Sequence, residues 1–175
     1  MSEDAAFEYA VRALGRSMRT EAEVRRLVRS RVGFGVRGAA MIEAVIARLK
    51  QYGYLNDAAY AETYARLRQQ NEKLGQRRVR QVLGQKGIAA KIVDEAVAAR
   101  YSQTDEETLA REHLERKRIP KPTDQKETMR VVRRLVAAGF SMSVISKVLR
   151  QWEVPGETLS GLEDMANPDE ESGGE

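Results

Sequence analysis

The chain has 175 residues, enough for one domain or a short string of repeats with a buried core. It holds no cysteine, which excludes disulfides and thiolate metal sites, and no apolar run approaches the ~20 residues of a membrane span. The net charge of +4 is uneven: eight of the 26 acids follow Gln151, where Lys and Arg are absent, leaving residues 1–150 at +12. A basic body of that size suits a polyanion or an acidic protein groove, although ion-paired helical surfaces also carry such charge. The N-terminus lacks a signal-peptide pattern, so a cytoplasmic location is expected.

Phe7, Val11, Leu14 and Met18 fall at helical spacing and predict a first helix. Thr20 and Glu23 form a capping-box pattern that starts a second helix, with Val24, Leu27 and Val28 inward. Residues Val32 to Gly38 read VGFGVRG, too rich in glycine to continue a helix. A third helix follows through Ile42, Val45, Ile46, Leu49 and Tyr52. Core packing is the favoured role for Tyr52 and Tyr54, ahead of base stacking. An offset of 55 carries Val24, Leu27 and Val28 onto Val79, Val82 and Leu83, and Tyr9-Ala10 onto Tyr64-Ala65; this is the signature of an internal repeat.

The second trio of helices places Tyr60, Tyr64 and Leu67 on one face, then Val79, Val82 and Leu83, then Ile88, Ile92, Val93, Ala96 and Val97. Gly87 is placed to end the middle helix in the left-handed conformation. The third trio opens at Thr104 with Glu107 as a second capping box, and Leu109, His113 and Leu114 face inward. Pro120 and Pro122 break that helix. Thr123 is placed to cap the next, which buries Thr128, Val132, Leu135 and Val136. Ser141 caps the last, striped by Val144, Ile145, Val148, Leu149 and Trp152. The third trio aligns on the second with an offset of 52 or 53. The fold expected is all-α: three tandem three-helix repeats (1–54, 55–101, 102–152) in an elongated, curved arrangement, then a disordered acidic tail over 153–175.

No catalytic or metal-binding set emerges, and neither an enzyme activity nor a cofactor is expected. The lone histidine, His113, lies on an apolar face, where a satisfied core position is the better reading. Gly33, Gly35 and Gly38 follow a helix rather than a strand, so they make no dinucleotide fingerprint. Arginine is the informative residue. Arg25, Arg26 and Arg29, then Arg77, Arg78 and Arg80, then Arg130, Arg133 and Arg134 face outward or flank the middle helix of each trio. No acid lies between Gln76 and Gln85, whereas a solvated face would interleave acids with bases.

The pattern Gly53-Tyr-Leu-Asn-Asp57 with Tyr60-Ala61, followed by Gly75, Arg78-Val79, Leu83 and Lys86-Gly-Ile88, resembles the central repeat of the RecX family, regulators of the bacterial recombinase RecA. Asn56 stands where that family more often has Asp, and Asn caps a helix about as well. The VGFGVRG turn is longer than its family counterpart. The resemblance covers nearly the whole length and is strongest from Gly53 to Val97. It implies a curved row of three-helix repeats, acting as a monomer, that binds the RecA filament on single-stranded DNA and inhibits its ATPase and strand exchange. Weak, sequence-independent DNA binding would accompany this, with no membrane role. The candidate contacts to RecA or nucleic acid are Arg66, Arg68, Lys73, Arg77, Arg78, Arg80 and Lys86, with Arg130, Arg133 and Arg134. Three-helix units also resemble helix-turn-helix domains, so a DNA-binding transcriptional regulator is the rival reading.

Overall fold

The computed structural model describes residues 1–154. Among the described residues there are nine helices and no strand. They are α1 (Glu3–Leu14), α2 (Glu21–Val32), α3 (Val36–Gln51), α4 (Asp57–Glu72), α5 (Gln76–Gln85), α6 (Ala90–Tyr101), α7 (Glu106–Arg116), α8 (Gln125–Ala137) and α9 (Met142–Gln151). The all-α expectation holds; the acidic tail lies outside the described residues from position 155. Two compact units are present among the described residues: Met1–Arg66 with Arg80–Arg100, and Leu67–Val79 with residues 101–154. Helices α4 and α5 each contribute to both.

Local sequence explains where most helices begin. The Thr20 hydroxyl accepts from the Glu23 amide at 3.2 Å while the Glu23 carboxylate accepts from the Thr20 amide at 3.0 Å, a complete capping box. Asn56 accepts from the Ala59 amide at 2.9 Å and Ser141 from the Val144 amide at 3.3 Å, both as expected. Two caps move by one residue. Asp105, not Thr104, caps α7, and Asp124, not Thr123, caps α8. A carboxylate at a helix N-terminus gains from the helix dipole as well as from the hydrogen bond, so it displaces the neighbouring threonine. Thr104 instead accepts from Gln69 Nε2 at 2.6 Å. The glycine-rich stretch is also shorter than read: α3 starts at Val36, so only Gly33 to Gly35 stay outside helix.

The first unit buries Ala6, Ala10, Val24, Val28, Ile42, Val45, Ile46, Leu49 and Leu55 around one core. The second buries Leu109, Leu114, Val131, Leu135, Phe140, Ile145, Val148 and Leu149. Three apolar residues read as inward are exposed. Met18 lies beyond the end of α1 at Leu14 and so leaves the helical register. On α4 the tightest contacts fall to Ala61, Ala65 and Gln69, which turns Leu67 outward. On α8 the stripe centres on Val131 and Leu135, which turns Val136 outward. That stripe settles the repeat offset at 52: Val79, Leu83 and Gly87 map onto Val131, Leu135 and Gly139, and Val93, Ala96 and Val97 onto Ile145, Val148 and Leu149. Tyr52 and Tyr54 do pack on Phe7, with ring centroids 5.9 and 6.3 Å away, yet both stay at least half exposed.

One joint occurs twice, once within each unit. In the first, the Thr20 hydroxyl donates to the Lys86 carbonyl at 2.8 Å, and the α5–α6 turn sits so close that a Cβ on Gly87 would lie 2.5 Å from that of Ala22. In the second, the Gly75 amide donates to the Ala138 carbonyl at 2.9 Å and the Arg77 amide to the Gly139 carbonyl at 3.3 Å. The offsets of 55 and 52 carry Thr20 onto Gly75, Lys86 onto Ala138 and Gly87 onto Gly139, so the two joints are equivalent. Helix α5 has glycine where α2 has its capping threonine, and downstream carbonyls satisfy its first amides instead.

The loop between α4 and α5 is held by the second unit. The Tyr101 hydroxyl donates to the Leu74 carbonyl at 2.6 Å, and His113 Nδ1 lies 3.0 Å from the Glu72 carbonyl, which fixes the proton on that nitrogen. His113 is 5% exposed and sits edge-on to Phe140, and burial lowers its pKa, with the charge of Lys117 adding to the effect. It is a satisfied core histidine, as the sequence suggested.

Carboxylates at the start of α2 make the first unit sensitive to acid. Burial alone would raise the pKa of Glu23, but Lys86 Nζ at 2.9 Å and the Thr20 amide prevail and lower it. Burial likewise opposes Glu21, which is lowered by Lys50 at 2.5 Å and by Arg25 at 2.8 Å. A lowered carboxylate contributes stability above its unfolded pKa and loses it as pH falls through the folded value. Melting temperature should therefore drop between about pH 5 and pH 3. Asp57 runs the other way, since burial raises its pKa despite the Glu21 amide at 2.8 Å, and its protonation offsets part of the loss. Glu23→Gln should melt lower at pH 7 and show a shallower acid slope; an unchanged slope would remove Glu23 as a source.

Candidate interaction surface

Ion pairing divides the expected contact residues into two groups. In the first trio, Arg25 is pinned between Glu21 and Glu43; in the second, Arg80 pairs with Asp94. Both bridges run from the middle helix to the third, and the offset of 55 carries Arg25 onto Arg80. Lys86 is held by Glu23, with its ammonium 5.6 Å from the Tyr60 ring centre. Arg68 pairs with Glu72, and Lys73 with Glu112 at 2.9 Å. These residues hold the fold together, so their charge is largely spent internally. Arg66 and Arg78 are exposed but also have partners within the chain.

Arg77, Arg130, Arg133 and Arg134 are exposed, and among the described residues no carboxylate pairs with them. The reason on α8 is visible in the repeat. The offset of 52 carries the bridge partners Arg80 and Asp94 onto Val132 and Ser146, both buried, so the third trio has replaced the ion pair with packing. Arg130 and Arg134 lie at i, i+4 and line one groove of about 240 Å³ with Lys117 and Arg118. Pro122 and Val131, both buried, help to form its apolar floor. The one acid there, Glu127, is occupied by the Thr123 amide at 2.8 Å and the Thr123 hydroxyl at 2.9 Å.

Lys117 and Arg118 are not among the contacts expected from the sequence, and the groove adds them to the site. Arg118 adopts a left-handed backbone (φ 53°) at the end of α7, while the next amide, Ile119, reaches back to the Leu114 carbonyl at 2.9 Å. A non-glycine residue there costs about 1 kcal/mol. Like charges at i, i+4 on α8 cost a further ~0.2–0.5 kcal/mol. A groove that keeps four cations at that expense, over an apolar floor, can clamp carboxylates or phosphates carried on a partly apolar partner.

Family models described as "RecX, second three-helix domain" and "RecX, third three-helix domain" match residues 56–97 and 105–149. A protein named Regulatory protein RecX from Myxococcus xanthus is 33% identical over 156 residues, covering 84% of this chain and 83% of the relative. The chain belongs to the RecX family. A Regulatory protein RecX from Deinococcus radiodurans is 32% identical over 154 residues, covering 85% of this chain and 68% of that one. Two solved RecX structures share the fold: one with a TM-score of 0.69 at 23% identity over 83% of this chain and 70% of the other, and that of RecX from Lactobacillus salivarius with 0.67 at 24% over 86% and 96%. A RecX regulatory role is therefore the class to which the groove has to be fitted. Among the described residues there is no cluster of metal-binding side chains and no helix long and apolar enough to cross a membrane.

Proposed function

We propose that this RecX-family chain binds the RecA filament on single-stranded DNA and suppresses its ATP hydrolysis and strand exchange, limiting recombination and the SOS response. The observation that carries the reading is the groove of the second unit, where Lys117, Arg118, Arg130 and Arg134 meet over an apolar floor with no free carboxylate. An acidic segment of a protein partner with apolar side chains between its carboxylates fits that chemistry better than bare phosphate does. The helix-turn-helix alternative has less support. The start of α5, which would enter a DNA groove, is docked on the α8–α9 turn, and Arg80 is tied to Asp94. The direct test is to titrate the protein into RecA's DNA-dependent ATPase. Saturable inhibition is expected; an unaffected ATPase with no filament binding would refute the reading.

A further inference from the structure

The turn between α2 and α3 presents an aromatic ring to solvent by construction. Phe34 is 93% and Val36 90% exposed, the most outward large apolar side chains among the described residues. Gly33 and Gly35 on either side of Phe34 have φ of 81° and 113°, a backbone that side-chain-bearing residues rarely adopt. Gly38 completes the turn: a Cβ there would lie 2.6 Å from the Gly33 carbonyl oxygen, so only glycine lets α3 pack against it. Three glycines thus hold one phenylalanine away from every other side chain.

The charge around it is of one sign. From Val24 to Ile42 there is no acid, and there are five arginines. Arg25 is pinned by Glu21 and Glu43, and Arg31 lies 4.9 Å over the Tyr9 ring, while Arg26, Arg29 and Arg37 are exposed without a carboxylate partner among the described residues. The dipole of α2 accounts for Arg29 and Arg31 in its last turn. It does not account for Arg37, which stands in the first turn of α3, the end that disfavours a cation, with no acid beside it.

We infer that the Phe34 tip is a stacking contact for an unpaired base of a single-stranded nucleic acid, with Arg29 and Arg37 meeting the flanking phosphates. Single-strand binding combines these two elements, an aromatic face for the base and cations for the backbone, and requires no sequence. A protein socket for Phe34 would need a uniformly acidic rim, and one ring with one valine is too little apolar surface to hold a bilayer. The contact does not rest on the recombinase reading, because its probe is a free oligonucleotide.

The test uses the full chain and a labelled 15-nucleotide oligothymidylate with no other protein present. Phe34→Ala should weaken binding about tenfold and leave the salt dependence unchanged. Phe34→Leu should behave like Phe34→Ala, whereas Phe34→Trp should bind at least as well as the parent and lose emission on binding, with the parent's Trp152 as reference. Arg29→Gln with Arg37→Gln should lower the slope of log K against log salt by about 1.4. Full affinity in Phe34→Ala, or restoration by Phe34→Leu, would overturn the stacking contact. So would a Phe34→Ala defect seen only with a protein partner or only with anionic vesicles. All three sites are exposed, so unchanged melting is expected and would exclude misfolding as the cause.

Discussion

Arg130→Glu combined with Arg134→Glu should reduce inhibition of RecA's DNA-dependent ATPase about 100-fold while leaving melting nearly unchanged. Both side chains are exposed on α8 and no carboxylate among the described residues depends on them, so the fold loses no ion pair. The groove changes from four cations and one occupied acid to two cations and three acids. If each reversal turns an attraction of ~1 kcal/mol into a comparable repulsion, the pair costs binding about 3–4 kcal/mol, and the lower value already gives two orders of magnitude. Arg80→Gln is the control, because Asp94 already neutralises that guanidinium. It should cost some stability of the α5–α6 pair and less than about twofold in inhibition. A folded double variant that still inhibits fully would remove the groove from the mechanism. Equal loss in Arg80→Gln would show that net charge, not the groove, is what the partner senses.

Gly139→Ala should be the most damaging single methyl in the described chain. The new Cβ would lie 2.3 Å from the Arg78 amide nitrogen and 2.8 Å from the Gly75 carbonyl oxygen, at a φ of 96°. Backbone atoms line that contact, so no side-chain rotation relieves it. Left-handed strain of ~1–2 kcal/mol adds to overpacking of ~1–3 kcal/mol. The hydrogen bonds from Gly75 and Arg77 to the turn weaken as well, so a total near 3–5 kcal/mol is expected. For a chain of this size that lowers the melting temperature by roughly 10 °C. Gly84→Ala is the contrast. Nothing lies within 4 Å of its new methyl in the α5 helix, and it should stabilise by about 0.5–1 kcal/mol. Amide exchange at Gly75 and Arg77 should accelerate in Gly139→Ala; unchanged protection would mean that the joint tolerates the methyl.

The helices and most caps were legible because they depend on neighbours in sequence, such as Thr20 with Glu23, Asn56 with Ala59, and Ser141 with Val144. The facing of α8 was legible only to within one residue, because Val131, Val132, Leu135 and Val136 offer two overlapping apolar stripes and tertiary packing selects the first. The candidate site was half legible. Arg80 looked unpaired because no acid lies within α5, but Asp94 reaches it from the next helix. Lys73 and Lys86 meet Glu112 and Glu23 from still further away in the sequence. Helical periodicity places a side chain on a face and carries no information about which charge another helix brings to it. The arginines of α8 kept their status because the partner positions there became Val132 and Ser146, a change readable once the offset of 52 is known.

The joints also set an order in which the chain can complete itself during synthesis. Thr20 waits for a carbonyl 66 positions later, and the first amides of α5 wait for those of Ala138 and Gly139. A nascent chain emerging from the ribosome can form each helix early, yet the opening turn of α5 has no local side chain to finish it. A fragment that stops before Ala138 therefore carries a frayed α5 however complete its own three helices are. The first two trios are each closed by the one made next.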